Sequence, residues 1–124
     1  MKVSTTNEYG KLKSVILGSV QGGAWPTDDV FFDRMISSST WPTKLEKSQF
    51  DANVIADTEM ELNLLQELLE QNDVEVHRPN ITGPHWAYSA RDILLTVGDK
   101  LIECPTPYYS RRNEALLYQH IKEQ

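Results

Sequence analysis

Tyr88-Ser89-Ala90-Arg91-Asp92, running into Ile93-Leu94-Leu95-Thr96-Val97, Gly98-Asp99 and Lys100-Leu101-Ile102-Glu103-Cys104-Pro105, is the stretch that decides the fold. Two short apolar runs around a two-residue turn that opens on glycine predict a tight hairpin, Asp92 to Val97 against Lys100 to Cys104. Such a turn follows the natural twist of paired strands. Pro105 and Pro107 end the pairing, because proline lacks the amide donor that a ladder needs. At the mouth of the hairpin, the Arg91-Asp92 pair puts a carboxylate beside an otherwise buried strand, where a cationic ligand could meet it. The alternative for Asp92 is a strand-initiating carboxylate that pairs with Arg91 or accepts backbone amides.

Upstream of the hairpin, Ser14-Val15-Ile16-Leu17 is short and rich in β-branched residues, with charge on one side and Gly18 on the other, and so reads as a first buried strand. From Ser19 to Gln49 no period holds. The acidic pair Asp28-Asp29 precedes a short helix expected around Val30 to Met35, because a structureless connection of this length is uncommon in a compact domain. From about Asp51 to Gln71 the residues Ile55, Leu62, Leu65 and Leu69 share one helical stripe, widened by Val54, Leu64 and Leu68. Asp57, Glu59, Glu61, Glu67 and Glu70 fall on the remaining face and read as its solvated flank. Val74-Glu75-Val76-His77 then alternates with a strand period until Arg78-Pro79. Past the hairpin, Ser110 can cap a final helix on which Leu117 and Ile121 share a face. The order is strand, long loop, helix, strand, hairpin, helix.

The chain has 124 residues, which predicts a single domain over 1–124 with a real core. Its net charge of −6 argues against nucleic acid as the main partner, since phosphate binding needs a cationic face, and suits a cationic small molecule better. No stretch approaches the roughly 18 apolar residues of a membrane span, and the N-terminus lacks the apolar run of a signal peptide. The expectation is a cytoplasmic protein without membrane contact. One cysteine allows neither an internal disulfide nor a multi-thiolate metal site. Asn80-Ile81-Thr82 matches the glycosylation acceptor pattern, but without a secretion signal the match reads as chance.

Asn7-Glu8-Tyr9-Gly10-Lys11-Leu12-Lys13-Ser14-Val15-Ile16-Leu17-Gly18 resembles the opening strand of the amidinotransferases, enzymes that move an amidino group from arginine to an amine. The resemblance continues in the same order through Val74 to Pro79, Tyr88 to Leu94, Val97-Gly98, Ile102-Glu103, Pro105, and Ser110-Arg111 with Glu114. That family is similar in fold to the arginine deiminases, and both form the pentein α/β propeller of strand–strand–helix–strand modules. The resemblance therefore implies a mixed α/β, partial pentein fold of one to two modules.

It also implies that Asp92 holds a substrate guanidinium and that Arg111, three residues before Glu114, contacts a ligand carboxylate. A carboxylate and a planar guanidinium match in geometry as well as charge. The family's cysteine nucleophile and its histidine–x–acid pair lie beyond the matched segments, and neither is found here. The amidino transfer needs that thiolate. The sequence thus points to a non-catalytic amidinotransferase-like protein that binds a guanidino or amidino compound. Two alternatives stand: part of an enzyme whose histidine and cysteine lie on another polypeptide, or a structural, oligomerising protein without ligand.

Cys104, at the end of an apolar strand, reads as packing rather than as a nucleophile activated by His77, His85 or His120. These histidines lack metal-ligand spacing, so no metal and no cofactor are expected. Trp25, Trp41 and Trp86 could cage a cation or pack beneath loops. A partial propeller exposes module faces and strand edges, which predicts a homodimer or larger homo-oligomer.

Overall fold

The computed structural model describes residues 3–7, 9–25, 29–38, 50–82 and 86–123; Trp41 and His85 lie outside them. Strand β1 (Ser14–Ile16) is followed by helices α1 (Val30–Ser38) and α2 (Ala52–Gln71), then by strand β2 (Glu75–His77). The hairpin β3 (Leu94–Val97) and β4 (Lys100–Glu103) comes next, and a short helix α3 (Gln119–Lys122) closes the described chain. Turns of 3-10 helix cover Ala90–Asp92, Tyr109–Arg111 and Glu114–Tyr118. The fold is mixed α/β with two small sheets, β1 parallel to β2 and β3 antiparallel to β4.

β1 and β2 run parallel with Val15 opposite Val76, which requires a crossover, and α2 supplies it. Both ends of α2 are locally encoded. The Asp51 carboxylate accepts the Asn53 amide at 2.8 Å, a side-chain N-cap. At the other end Asp73 adopts φ 60°, so that its amide reaches Glu70 O and the Val74 amide reaches Leu69 O at 3.0 Å. This pair of reversed bonds is a Schellman closure with aspartate in the usual glycine position. It turns the chain directly into β2, where the Glu75 amide meets Lys13 O and the Leu17 amide meets His77 O, both at 2.9 Å.

The hairpin turns at Gly98, whose φ of +59° is the left-handed value its first turn position demands. β3 begins at Leu94, two residues later than the sequence reading has it. Asp92 sits instead in the 3-10 turn, its amide donating to Ser89 O and the Ile93 amide to Ala90 O. The end of the chain differs too. Ser110 lies inside a 3-10 turn and caps no helix with its side chain; its hydroxyl and amide both donate to the Asp29 carboxylate, at 2.8 and 3.1 Å. Leu117 and Ile121 are both buried, as their shared face predicts.

The core lies between the base of the hairpin and these last turns. Ala87, Ala90, Ile93, Leu94, Leu117, Tyr118 and Ile121 form it, with Ile16, Ile81 and Leu101 packed against it. Each fully buried large side chain contributes roughly 1.5–3 kcal/mol. Polar bonds fix its edges: Tyr118 Oη donates to Ala87 O at 2.9 Å, and the Asn80 amide to Leu117 O at 2.8 Å. The core therefore carries the Ala90–Asp92 turn on one side and the Glu114–Tyr118 turn on the other.

Candidate functional site

Asp92, Arg111 and Glu114 come together through the Arg111 guanidinium, which reaches from the Tyr109–Arg111 turn to both carboxylates. Glu114 is 1% exposed, and its two oxygens are divided between partners. Oε1 accepts the Trp86 amide at 2.9 Å, and Oε2 accepts Arg111 Nε at 2.9 Å. Arg111 Nη1 donates to Asp92 Oδ2 at 3.0 Å. One guanidinium thus joins a buried carboxylate to an accessible one, for the Asp92 side chain is 41% exposed. Arg111 Nη2 is buried and has no hydrogen-bond partner among the described residues.

The electrostatics follow from burial and this pairing. Burial pushes the Glu114 carboxyl above its ordinary range, against the pull of Arg111 and the Trp86 amide. Burial works to lower Arg111, but Glu114 and Asp92 outweigh it and the guanidinium is held more firmly charged. Tyr88 feels the same three groups. Burial raises its hydroxyl, the Trp86 side chain and Arg111 oppose that, and Asp92 and Glu114 add to it.

A ring cluster backs the site. Trp86 packs against Trp25 at 5.2 Å between centroids, against Tyr88 at 5.3 Å and against Phe50 at 5.9 Å, and Trp25 also meets Phe32 at 5.8 Å. Trp25 and Trp86 therefore pack on other rings. Asp29, 1% exposed, anchors this side: Oδ1 accepts the Phe31 and Phe32 amides, and Oδ2 accepts Ser110. Burial would raise its carboxyl, but the bonds from Ser110, Phe32 and Phe31 together lower it. Asp29 so fixes the residue that precedes Arg111. The signal was present in the sequence as an aspartate just ahead of Val30-Phe31-Phe32, the N-cap position of an apolar helix.

Glu59 departs from the solvated flank assigned to it. It accepts Ser19 Oγ and the Val20 amide, and it forms an ion pair with Arg78, whose Nη1 also reaches Asn63 and Gln66. Its place four residues after Ile55 and three before Leu62, on the inward stripe, is the signal that marks it.

Cys104 is half-buried and lines a surface pocket of about 450 Å³ with Ile93, Arg111 and Arg112, a pocket whose lining does not include Asp92. His120 Nε2 lies 3.0 Å from Arg78 O, and His77 lies beside Glu75. Among the described residues, no group of three or more histidine, cysteine or acidic side chains is placed to hold a metal, and no helix is long and apolar enough to cross a membrane.

No family model matches the chain. Inosamine-phosphate amidinotransferase 1 of Streptomyces griseus is 32% identical over an alignment of 134 positions that covers 96% of the chain and 39% of the relative. The protein of the same name from Streptomyces glaucescens is 31% identical, covering 96% and 38%. Among solved structures, the inosamine-phosphate amidinotransferase of S. griseus superposes with a TM-score of 0.83 at 30% identity over 98% of the chain and 39% of its own. An amidinotransferase of the saxitoxin biosynthetic pathway from Microseira wollei gives a TM-score of 0.71 at 27% identity, over 98% and 38%. The chain spans about two-fifths of the length of these relatives. In both sequence and backbone, then, it is amidinotransferase-like over nearly its whole length.

Proposed function

We propose that this chain supplies the guanidinium-binding part of an amidinotransferase-like protein, and that alone it binds arginine or a related guanidino compound without transferring the amidino group. The observation that carries the reading is the unequal exposure of the two carboxylates on Arg111: Glu114 is buried, whereas Asp92 is accessible and bonded to Arg111 through one oxygen. An ionised carboxylate offers about four acceptor positions, and Arg111 takes one of them on Oδ2. The rest can accept the paired donors of a planar guanidinium in a charge-assisted contact.

In this reading Arg111 orients Asp92 and supplies the positive charge that faces any ligand carboxylate. Amidino transfer would need a nucleophile at the guanidinium carbon, and the one thiol, Cys104, belongs to the neighbouring pocket. The two small sheets belong, on the same reading, to strand–strand–helix–strand modules of an incomplete propeller. A second reading, in which the chain is one part of an enzyme whose thiol and histidine come from further polypeptide, is favoured by its span of about two-fifths of the relatives.

Calorimetric titration of arginine into the wild type and Asp92→Asn tests the proposal. The wild type should give a saturable one-to-one isotherm, weakened at least about tenfold in the variant, the cost of one charge-assisted bond. Equal heats for the two proteins would remove Asp92 from any guanidinium site.

A further inference from the structure

Helix α2 spans 20 residues, yet none of them is buried. Ile55, Leu62 and Leu69 turn partly inward, whereas Val54, Met60, Leu64, Leu65 and Leu68 are between 41% and 57% exposed. Met60, Leu64 and Leu68 recur at every fourth residue and so form a single ridge, with Leu65 and Val54 beside it. The stripe runs about 21 Å along the helix axis at the α-helical rise. Scattered exposed leucines are ordinary, but apolar side chains gathered on one face over this length, with carboxylates set among them, have the form of an interaction surface.

Charge decides what covers it. Helix α2 contains no lysine, arginine or histidine. Asp57 and Glu61 fall within the stripe by helical spacing and Glu67 along its border, and all three are exposed. A second copy docking through the same face would set these carboxylates against their own equivalents, a juxtaposition that opposes association. We infer that this face takes an amphipathic helix of another polypeptide that carries lysine or arginine on either side of an apolar ridge. The leucines supply buried area, and the carboxylates select a basic partner and set its register. The inference is independent of Asp92 and its ligand.

The probe is a fluorescein-labelled synthetic helix of about 18 residues, with leucines on one face flanked by lysines. Its fluorescence anisotropy is followed as protein is added, at about 50 mM and about 500 mM salt. Binding should be saturable, at least about tenfold weaker for Leu64→Gln with Leu68→Gln. Asp57→Asn with Glu61→Gln should weaken it about fivefold at low salt and hardly at high salt. A matching peptide with glutamate in place of lysine should fail to bind. All the substitutions are at exposed positions, so far-UV circular dichroism should be unchanged. Absence of saturable binding, or equal binding of the lysine peptide to all three proteins, overturns the inference. So does a wild-type dimer in sedimentation that Leu64→Gln with Leu68→Gln converts to monomer, since that gives the face to a second copy.

Discussion

Replacing Glu114 by alanine should destabilise the fold more than any change at Asp92, although both carboxylates bind the same guanidinium. Glu114 is 1% exposed and accepts two bonds, from the Trp86 amide and from Arg111 Nε. Its removal leaves the partly buried Trp86 amide without that acceptor and a buried guanidinium with only Asp92 beside it. Breaking a buried pair from one side costs about 3–5 kcal/mol, a large fraction of the roughly 5–15 kcal/mol that stabilises a domain. Glutamine keeps one acceptor oxygen and should cost about 1–2 kcal/mol. Asp92→Asn, at a side chain 41% exposed, should cost about 1 kcal/mol or less, because solvent screens most of that pairing. Urea unfolding followed by tryptophan fluorescence reads all three. With a slope of about 1–3 kcal/mol per molar, Glu114→Ala should lower the midpoint by at least about 1 M. A midpoint for Glu114→Ala close to wild type, or an equal loss for Asp92→Asn, would refute the division into a buried anchor and an accessible acceptor.

Two further substitutions probe how the site is supported. A Cβ at Gly18 would stand 2.1 Å from Tyr88 O, backbone against backbone, so Gly18→Ala should destabilise by about 3 kcal/mol or more and disturb the Tyr88–Asp92 segment, which thermal unfolding and arginine calorimetry would register together. Burial, and to a smaller extent Glu114, push the Tyr118 hydroxyl up to about 12 from its ordinary 10.0, against Arg111 and Arg78. The unfolded chain therefore loses this proton first, so stability is intact below pH 10 and falls between pH 10 and 12, by roughly 3 kcal/mol at most. Tyr118→Phe should lose about 1 kcal/mol at neutral pH, through the lost bond to Ala87 O, but should show a smaller alkaline decline in denaturant midpoints.

The parts of this fold that could be read from the sequence are those whose signals are local. The apolar period through Ile55, Leu62 and Leu69 and the Gly98 turn each act within a few residues, and each element formed where they indicate. What escaped the reading depends on distant partners. Ser110 has the chemistry of a helix cap, but a buried carboxylate 81 positions earlier competes for its hydroxyl and amide. Glu59 sits in a run of acids that reads as solvated until Ser19, Val20 and Arg78 converge on it. The outer half of the α2 stripe kept its period and still found no core, because periodicity reports a face and not what lies against it.

The candidate site divides in the same way. Asp92 and Arg111 stand out by chemical type and by resemblance, but their pairing through a single guanidinium is a tertiary fact that no spacing between positions 92 and 111 encodes. The same holds for Asp29, whose hold on Ser110 fixes the residue next to Arg111.

The most direct test of the account is the carboxyl carbon shift of Asp92 in carbon-13 NMR while arginine is added, with Glu114 in the same spectrum for comparison. The Asp92 signal should move saturably, with the midpoint found calorimetrically, and by more than the Glu114 signal, which feels the ligand only through the shared Arg111. An unmoved Asp92 carbon at saturating arginine, or movement confined to other carboxylates, would contradict the assignment of the guanidinium seat.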